Sequence, residues 1–174
     1  MRLNPSDRTL HKAANTCQKL LANKKVLVCS KNKLTLTALP LCTPIFHSLV
    51  GGATTEDEAL EIQQECQPDL LITSEDLEKG YGIKLVEIIK KRTPELKALI
   101  FLQRETPEVV QEAMEAGADG VMFTSSIGTG NGDFIQALTT TAGGGIYYPM
   151  AVRKAVDKKP RPAPVIQIHC QRAT

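Results

Sequence analysis

A glycine-rich run in the last third of the chain has a composition that could bind an anion. Residues 128–132 read Gly-Thr-Gly-Asn-Gly and stand just before a predicted helix. Backbone amides in such a run, next to a helix amino terminus, can hold an anion. However, the run lacks the Lys-Ser/Thr pair of a nucleotide-binding P-loop, and it follows the last predicted strand instead of the first. We therefore interpret it as a flexible connecting loop.

The cysteines and histidines offer little metal chemistry. The number of cysteines is odd, and no two of them have the C-x-x-C spacing of metal or redox sites. His169 and Cys170 are adjacent, but structural zinc needs four suitably spaced ligands. No signal peptide or apolar run of about 18 residues appears. The sequence thus predicts a reduced cytoplasmic protein with no metal, no cofactor and no membrane segment.

Short apolar runs alternating with helical patterns indicate the fold. The predicted strands are residues 26–29, 49–53, 70–73, 98–102 and 120–123. The predicted helices that follow them are residues 33–48, 56–67, 83–92, 107–116 and 132–142. Such alternation implies an α/β protein with a doubly wound parallel sheet of (βα)5 type, covered on both faces. Pro40 and Pro44 predict a kinked, shortened or partly non-helical segment in the first of these helices.

A further amphipathic helix is predicted ahead of the first strand, in residues 1–23. Ser6 or Asp7 can cap it, and its apolar side chains recur at three- and four-residue spacing. These side chains are Leu10, Ala13, Ala14, Cys17, Leu20 and Leu21. The stripe must pack against something, either the helix's own domain or a partner. We assign residues 24–149 to one domain and residues 150–174 to a basic, proline-rich linker or tail.

Charge is unevenly distributed along the chain. Residues 1–34 carry eight Lys/Arg and one acid, or +7, and residues 35–150 carry seven Lys/Arg and seventeen acids, or −10. Residues 151–174 carry six Lys/Arg and one acid, or +5. The two basic ends are either solvated surface or contacts for an acidic partner, such as the body of a second copy. The net charge of +2 does not itself indicate nucleic-acid or membrane binding.

Several local phrases resemble the receiver domain of bacterial response regulators, over residues 25–149. Residues 50–60 resemble its second strand and the following helix start, and residues 67–72 resemble the strand before its phosphorylation site. Residues 115–121 resemble the turn into its last strand. Residues 143–149 resemble the exit toward a DNA-binding domain in the subfamily with LuxR-type effectors. The resemblance implies a flavodoxin-like fold.

The resemblance also implies a phosphorylation site at the strand ends, and here its chemical groups are replaced. In the family, two acids hold Mg²⁺, an aspartate accepts the phosphoryl group, and a Thr/Ser and a Lys contact it. The corresponding positions in this chain are Ser30, Lys31, Ser74, Leu102 and Thr124. We therefore predict a degenerate receiver without phosphorylation chemistry. Glu75 and Asp76, beside the acceptor position, are either acceptors in a rearranged loop or ordinary loop acids.

By the same resemblance, a docking surface is predicted on residues 106–116, 121–123 and 133–142. Its predicted side chains, with two tyrosines that follow, are Val109, Val110, Val121, Phe123, Phe134, Tyr147 and Tyr148. Tyrosine and phenylalanine are enriched in protein interfaces. The amino-terminal helix is a further candidate for a dimer contact.

These observations predict a non-enzymatic, phosphorylation-independent receiver that acts through a protein partner or a homodimer in signalling or transcriptional control. One alternative is the receiver part of a DNA-binding transcription regulator. Only 24 residues follow Met150, whereas a helix-turn-helix effector needs about 60, so DNA contact would use a missing effector or the basic ends. Another alternative is a small-molecule or redox sensor, by analogy with some pseudo-receivers of clock systems, which are thought to bind quinones.

Overall fold

The computed structural model describes residues 8–41, 43, 45–127, 133–148, 150 and 152. Within them lies a sheet of five parallel strands in the order β2-β1-β3-β4-β5. The strands are β1 (Val26–Cys29), β2 (Leu49–Ala53), β3 (Leu70–Ser74), β4 (Lys97–Leu102) and β5 (Gly120–Phe123). The predicted α/β, flavodoxin-like fold is confirmed by this topology.

The helices alternate with the strands as the hydrophobic pattern predicts. They are α1 (Arg8–Leu21), α2 (Lys33–Leu41), α3 (Glu56–Cys66), α4 (Gly82–Arg92), α5 (Pro107–Glu115) and α6 (Asp133–Ala142). Thr55 forms a capping box with Glu58 at the start of α3, and Thr106 caps α5 with Pro107 in its first turn. None of the helices in these described ranges is long and apolar enough to span a membrane.

The segment after β1 is shorter as a helix than its apolar pattern alone suggests. Helix α2 ends at Leu41, with Pro40 in its last turn, and a 3₁₀ turn at Phe46–Ser48 follows before β2. A proline inside a helix removes one backbone donor and crowds the preceding turn. The expectation of a shortened segment is therefore correct.

The sheet separates two apolar layers because successive side chains of a strand point to opposite faces. Helices α3, α4 and α5 cover one face, and buried side chains such as Leu27, Leu71 and Ile100 form the first core. Helices α1, α2 and α6 cover the other face, where Val28 and Ile72 belong to the second core. Both faces of every central strand are thus occupied by the protein itself.

Helix α1 packs against its own domain. This answers the question of whether its apolar stripe meets the domain or a partner. It lies against α6, and Cys17 and Leu21 are fully buried in the second core. The Ser48 hydroxyl donates to the Leu21 carbonyl oxygen at 2.6 Å and anchors the end of the helix. The side chains of residues 8–14 are outside what the structure describes.

We expect Leu21→Ala to lower the free energy of unfolding by about 3 kcal/mol, since it leaves a cavity in the second core. Urea denaturation of the full chain measures this loss. The adjacent Leu20 is 39% exposed and is the matched control; its alanine variant should lose less than about 1 kcal/mol. Equal losses for the two variants would contradict the packing of α1 on this face.

Candidate functional site

The carboxyl edge of the sheet gathers side chains that follow the strands. Because β1, β3, β4 and β5 are parallel, their carboxyl ends lie along one edge, where open α/β sheets place their sites. Ser30, Lys31, Ser74 and Thr124 all line one cavity there. Leu102 does not, because its side chain is fully buried in the first core. The structure therefore brings together four of the five strand-end positions named above.

Strand alternation selects which side chains reach this cavity. Val28, Ile72 and Phe101 belong to the second core and form the apolar floor of the cavity. Ser30 and Ser74 lie two residues beyond Val28 and Ile72, so they share that face of the sheet. The cavity thus opens on the α2 side of the edge.

At this edge, two hydroxyl groups donate to backbone carbonyl oxygens, and one ion pair is present. The Ser74 hydroxyl donates to the Asp76 carbonyl oxygen at 2.7 Å, and the Thr124 hydroxyl donates to the Leu102 carbonyl oxygen at 3.1 Å. Lys31 Nζ lies 3.3 Å from a carboxylate oxygen of Asp76. Among the residues the structure describes, no group of three or more His, Cys, Asp or Glu side chains is placed to hold a metal ion.

Cys29 also lines the cavity. Burial raises the pKa of its thiol to about 12, and the carboxylate of Glu58 adds to the effect. Since the thiolate is the reactive form of cysteine, this side chain is a poor nucleophile near neutral pH.

Glu75 occupies the opposite face of the sheet from Ser74. Its side chain is fully buried, and one carboxylate oxygen accepts from the backbone amides of Gln103 at 2.7 Å and Arg104 at 3.0 Å. The other oxygen accepts from Arg104 Nε. The carboxylate therefore ties the end of β3 to the loop between β4 and α5.

The contacts of Arg104 extend this network to two helices. Its guanidinium donates to the Tyr81 hydroxyl at 2.9 Å and lies 5.8 Å from the centre of the Tyr81 ring. The Tyr81 hydroxyl donates to a carboxylate oxygen of Glu112 at 3.0 Å, which joins the start of α4 to α5. Burial, followed by the contact with Glu112, raises the pKa of Tyr81 to about 12. The phenol stays protonated and available as a donor.

Sequence reasoning missed this network. Glu75 stood out only because it follows the strand, and nothing local connects it with Arg104, 29 residues later. The single sequence signal was a carboxylate directly after a strand of buried residues. Both loop acids prove to be engaged, Glu75 with Arg104 and Asp76 with Lys31.

Four of the predicted docking side chains are buried in the protein's own core. Val109, Val110, Val121 and Phe123 are at most 5% exposed and belong to the first core. The apolar stripe of α5 faces the sheet, and β5 points its side chains into covered layers, so none of the four is available to a partner. The outer positions of α5, among them Glu108 and Glu115, are polar and exposed.

The other three docking side chains are partly accessible. Phe134 packs near Phe101 with ring centres 5.7 Å apart, and the Tyr148 hydroxyl donates to the Ala118 carbonyl oxygen at 2.8 Å. Tyr147 pairs with Gly120 at the edge of β5. Their role in an interface stays a prediction. The glycine-rich run 128–132 and the basic tail 153–174 lie outside the described residues.

Comparisons with known proteins agree with this fold. The response regulator receiver domain family matches residues 26–124. A curated relative, the transcriptional regulatory protein MctR of Rhizobium johnstonii, is 22% identical over 134 residues, which are 76% of this chain and 61% of the relative. The chain thus spans about three fifths of the length of that relative.

Two solved structures have the same fold. One is a two-component response regulator of the LuxR family from Aurantimonas sp. SI85-9A1, with a TM-score of 0.68 and 18% identity over 77% of this chain and 95% of that one. The other contains two RcsB dimers bound to two parallel DNAs, with a TM-score of 0.68 and 18% identity over 78% of this chain and 68% of that one.

Proposed function

Because this chain belongs to the response regulator receiver domain family, we propose that it signals without being phosphorylated, through contact with another protein or a second copy. Receiver domains are signalling modules and not enzymes. The name of the relative favours transcriptional control as the process. The RcsB structure, which contains dimers, favours self-association as one form of the contact.

One observation carries the proposal: an ammonium group occupies the edge of the sheet where the family places carboxylates. Lys31 lines the same cavity as Ser30 and Ser74, and its counterion is Asp76. Mg²⁺ requires several hard oxygen ligands, and a lysine ammonium offers only donors. Neither serine hydroxyl is the carboxylate that forms an acyl phosphate.

The Glu75 network supports the same proposal from the other face of the sheet. The Glu75 carboxyl group already accepts from two consecutive amides of the loop that follows β4. That loop leads directly into α5, so its position is held by Glu75 and needs no transferred phosphoryl group. We infer that the α4–α5 face is presented in a single arrangement to its partner.

Incubation with acetyl phosphate and Mg²⁺ tests the proposal. We expect the intact mass of the full chain to stay unchanged, because no carboxylate is free at the acceptor position. Light scattering before and after the incubation should give the same molar mass. A receiver domain with an intact acceptor aspartate, treated in the same mixture, is the positive control.

A mass increase of one phosphoryl group, with peptide mapping to Ser74, Glu75 or Asp76, would contradict the proposal. So would a change of oligomeric state that requires acetyl phosphate. An unchanged mass together with an unchanged oligomeric state supports a phosphorylation-independent receiver.

A further inference from the structure

We propose that the cavity at the carboxyl edge of the sheet binds a small organic monoanion with an apolar body and one carboxylate. This inference goes beyond the proposed function, since protein contacts without phosphorylation do not require any ligand. It depends on the shape and lining of the cavity on the α2 side of the edge, and not on the Glu75 network.

The size and floor of the cavity suit an apolar body. Its volume is about 330 Å³, and Val28, Ile72 and Phe101 form the floor between the ends of β1, β3 and β4. Leu39 of α2 and Ile127 complete the apolar wall. Ligand cavities begin at about 300 Å³, so this one has room for roughly ten to fifteen non-hydrogen atoms.

The polar rim favours one negative charge on the ligand. Lys31 is the cationic side chain in the lining, and its pair with Asp76 is weak because both side chains are 47% exposed. A ligand carboxylate can therefore compete for Lys31 Nζ. The Ser30 hydroxyl accepts from the Asn32 amide at 3.3 Å and keeps its proton for a ligand oxygen.

The same rim disfavours a phosphate or another dianion. Among the described residues that line this cavity, no second cationic side chain is available as the counterion of a second negative charge. The carboxylate of Asp76 stays beside the cavity and repels a second negative charge. Lys31 can attract one negative charge, and Asp76 repels a second one. The rim therefore favours a monocarboxylate whose remaining atoms are largely hydrophobic.

A titration of the ¹⁵N-labelled full chain tests the proposal with 4-phenylbutanoate as the probe and 4-phenylbutan-1-ol as its neutral counterpart. We expect saturable amide shifts confined to residues 28–39, 72–74, 101–103 and 124–127. The alcohol keeps the apolar body without the charge. Its affinity should be at least about tenfold weaker, which reports the contact with Lys31.

Two variants assign the site. Lys31→Met should weaken 4-phenylbutanoate about tenfold and leave the alcohol unaffected, because it removes the charge and keeps the alkyl stem. Lys33→Met is the matched control, since Lys33 is a nearby exposed lysine that does not line the cavity. This variant should bind 4-phenylbutanoate with the affinity of the parent.

Three results would each overturn the proposal. They are amide shifts that map elsewhere, equal affinity for the acid and the alcohol, and an affinity for the acid that Lys31→Met does not change. The absence of any saturable shift would overturn it as well. None of these results bears on the acetyl phosphate experiment, so failure of the ligand site and failure of the proposed function are distinguishable.

Discussion

Replacing Glu75 with alanine is expected to lower the free energy of unfolding by about 3 kcal/mol or more. The side chain is fully buried, and its loss leaves the amides of Gln103 and Arg104 without their acceptor. Each polar group that loses its partner away from water is destabilising by about 1–3 kcal/mol, and two amides lose their acceptor here. Urea denaturation of the full chain measures the difference.

The matched control is Glu78→Ala, three residues along the same loop, where the side chain is exposed. Its loss should stay within about 0.5 kcal/mol. If the Glu75 and Glu78 variants were equally stable, the buried carboxylate would not be holding the loop.

Hydrogen exchange tests whether the loss of stability is local to this loop. In the Glu75 variant, the amides of Gln103 and Arg104 lose their acceptor and should exchange faster than in the parent. The strand amides of β1 and β3 should be less affected, because their hydrogen bonds lie within the sheet. Uniformly faster exchange would instead indicate a general loss of stability, with no specific release of the loop that leads into α5.

The second large effect is expected from Gly82→Ala, at the first residue of α4. A Cβ atom built there would lie 1.9 Å from the Ser74 carbonyl oxygen and 3.0 Å from Thr73 Oγ1. The Gly82 amide also donates to the Glu75 carbonyl oxygen at 2.7 Å, so the helix start is held close to the end of β3. The backbone must separate to admit a methyl group, which should destabilise the fold by about 3 kcal/mol or more.

The control for this variant is Gly52→Ala in β2. The nearest atoms to a Cβ at Gly52 are 3.8 Å away, an ordinary contact distance. We expect its thermal midpoint to stay near that of the parent or to rise slightly, because alanine restricts the unfolded chain. If Gly82→Ala had the same thermal midpoint as Gly52→Ala, α4 would be able to move away from β3 without loss of stability.

The order and type of the elements follow from local patterns in the sequence. Apolar runs of four to six residues followed by helical patterns define the parallel sheet, because burial on both faces demands continuous apolar strands. The cap at Thr55 and the Thr106-Pro107 start could also be read directly, since capping involves residues within one helical turn. The residues at the strand ends followed from the same local pattern.

Which side chains meet depends on how distant elements pack together. The Glu75–Arg104–Tyr81 network joins residues 23 to 29 positions apart, and no local periodicity encodes a contact across that separation. The burial of Val109 and Phe123 depended likewise on the docking of α5 against β5. Local spacing specifies which face of an element is apolar, but the packing of distant elements decides whether that face meets the protein's own core or a partner.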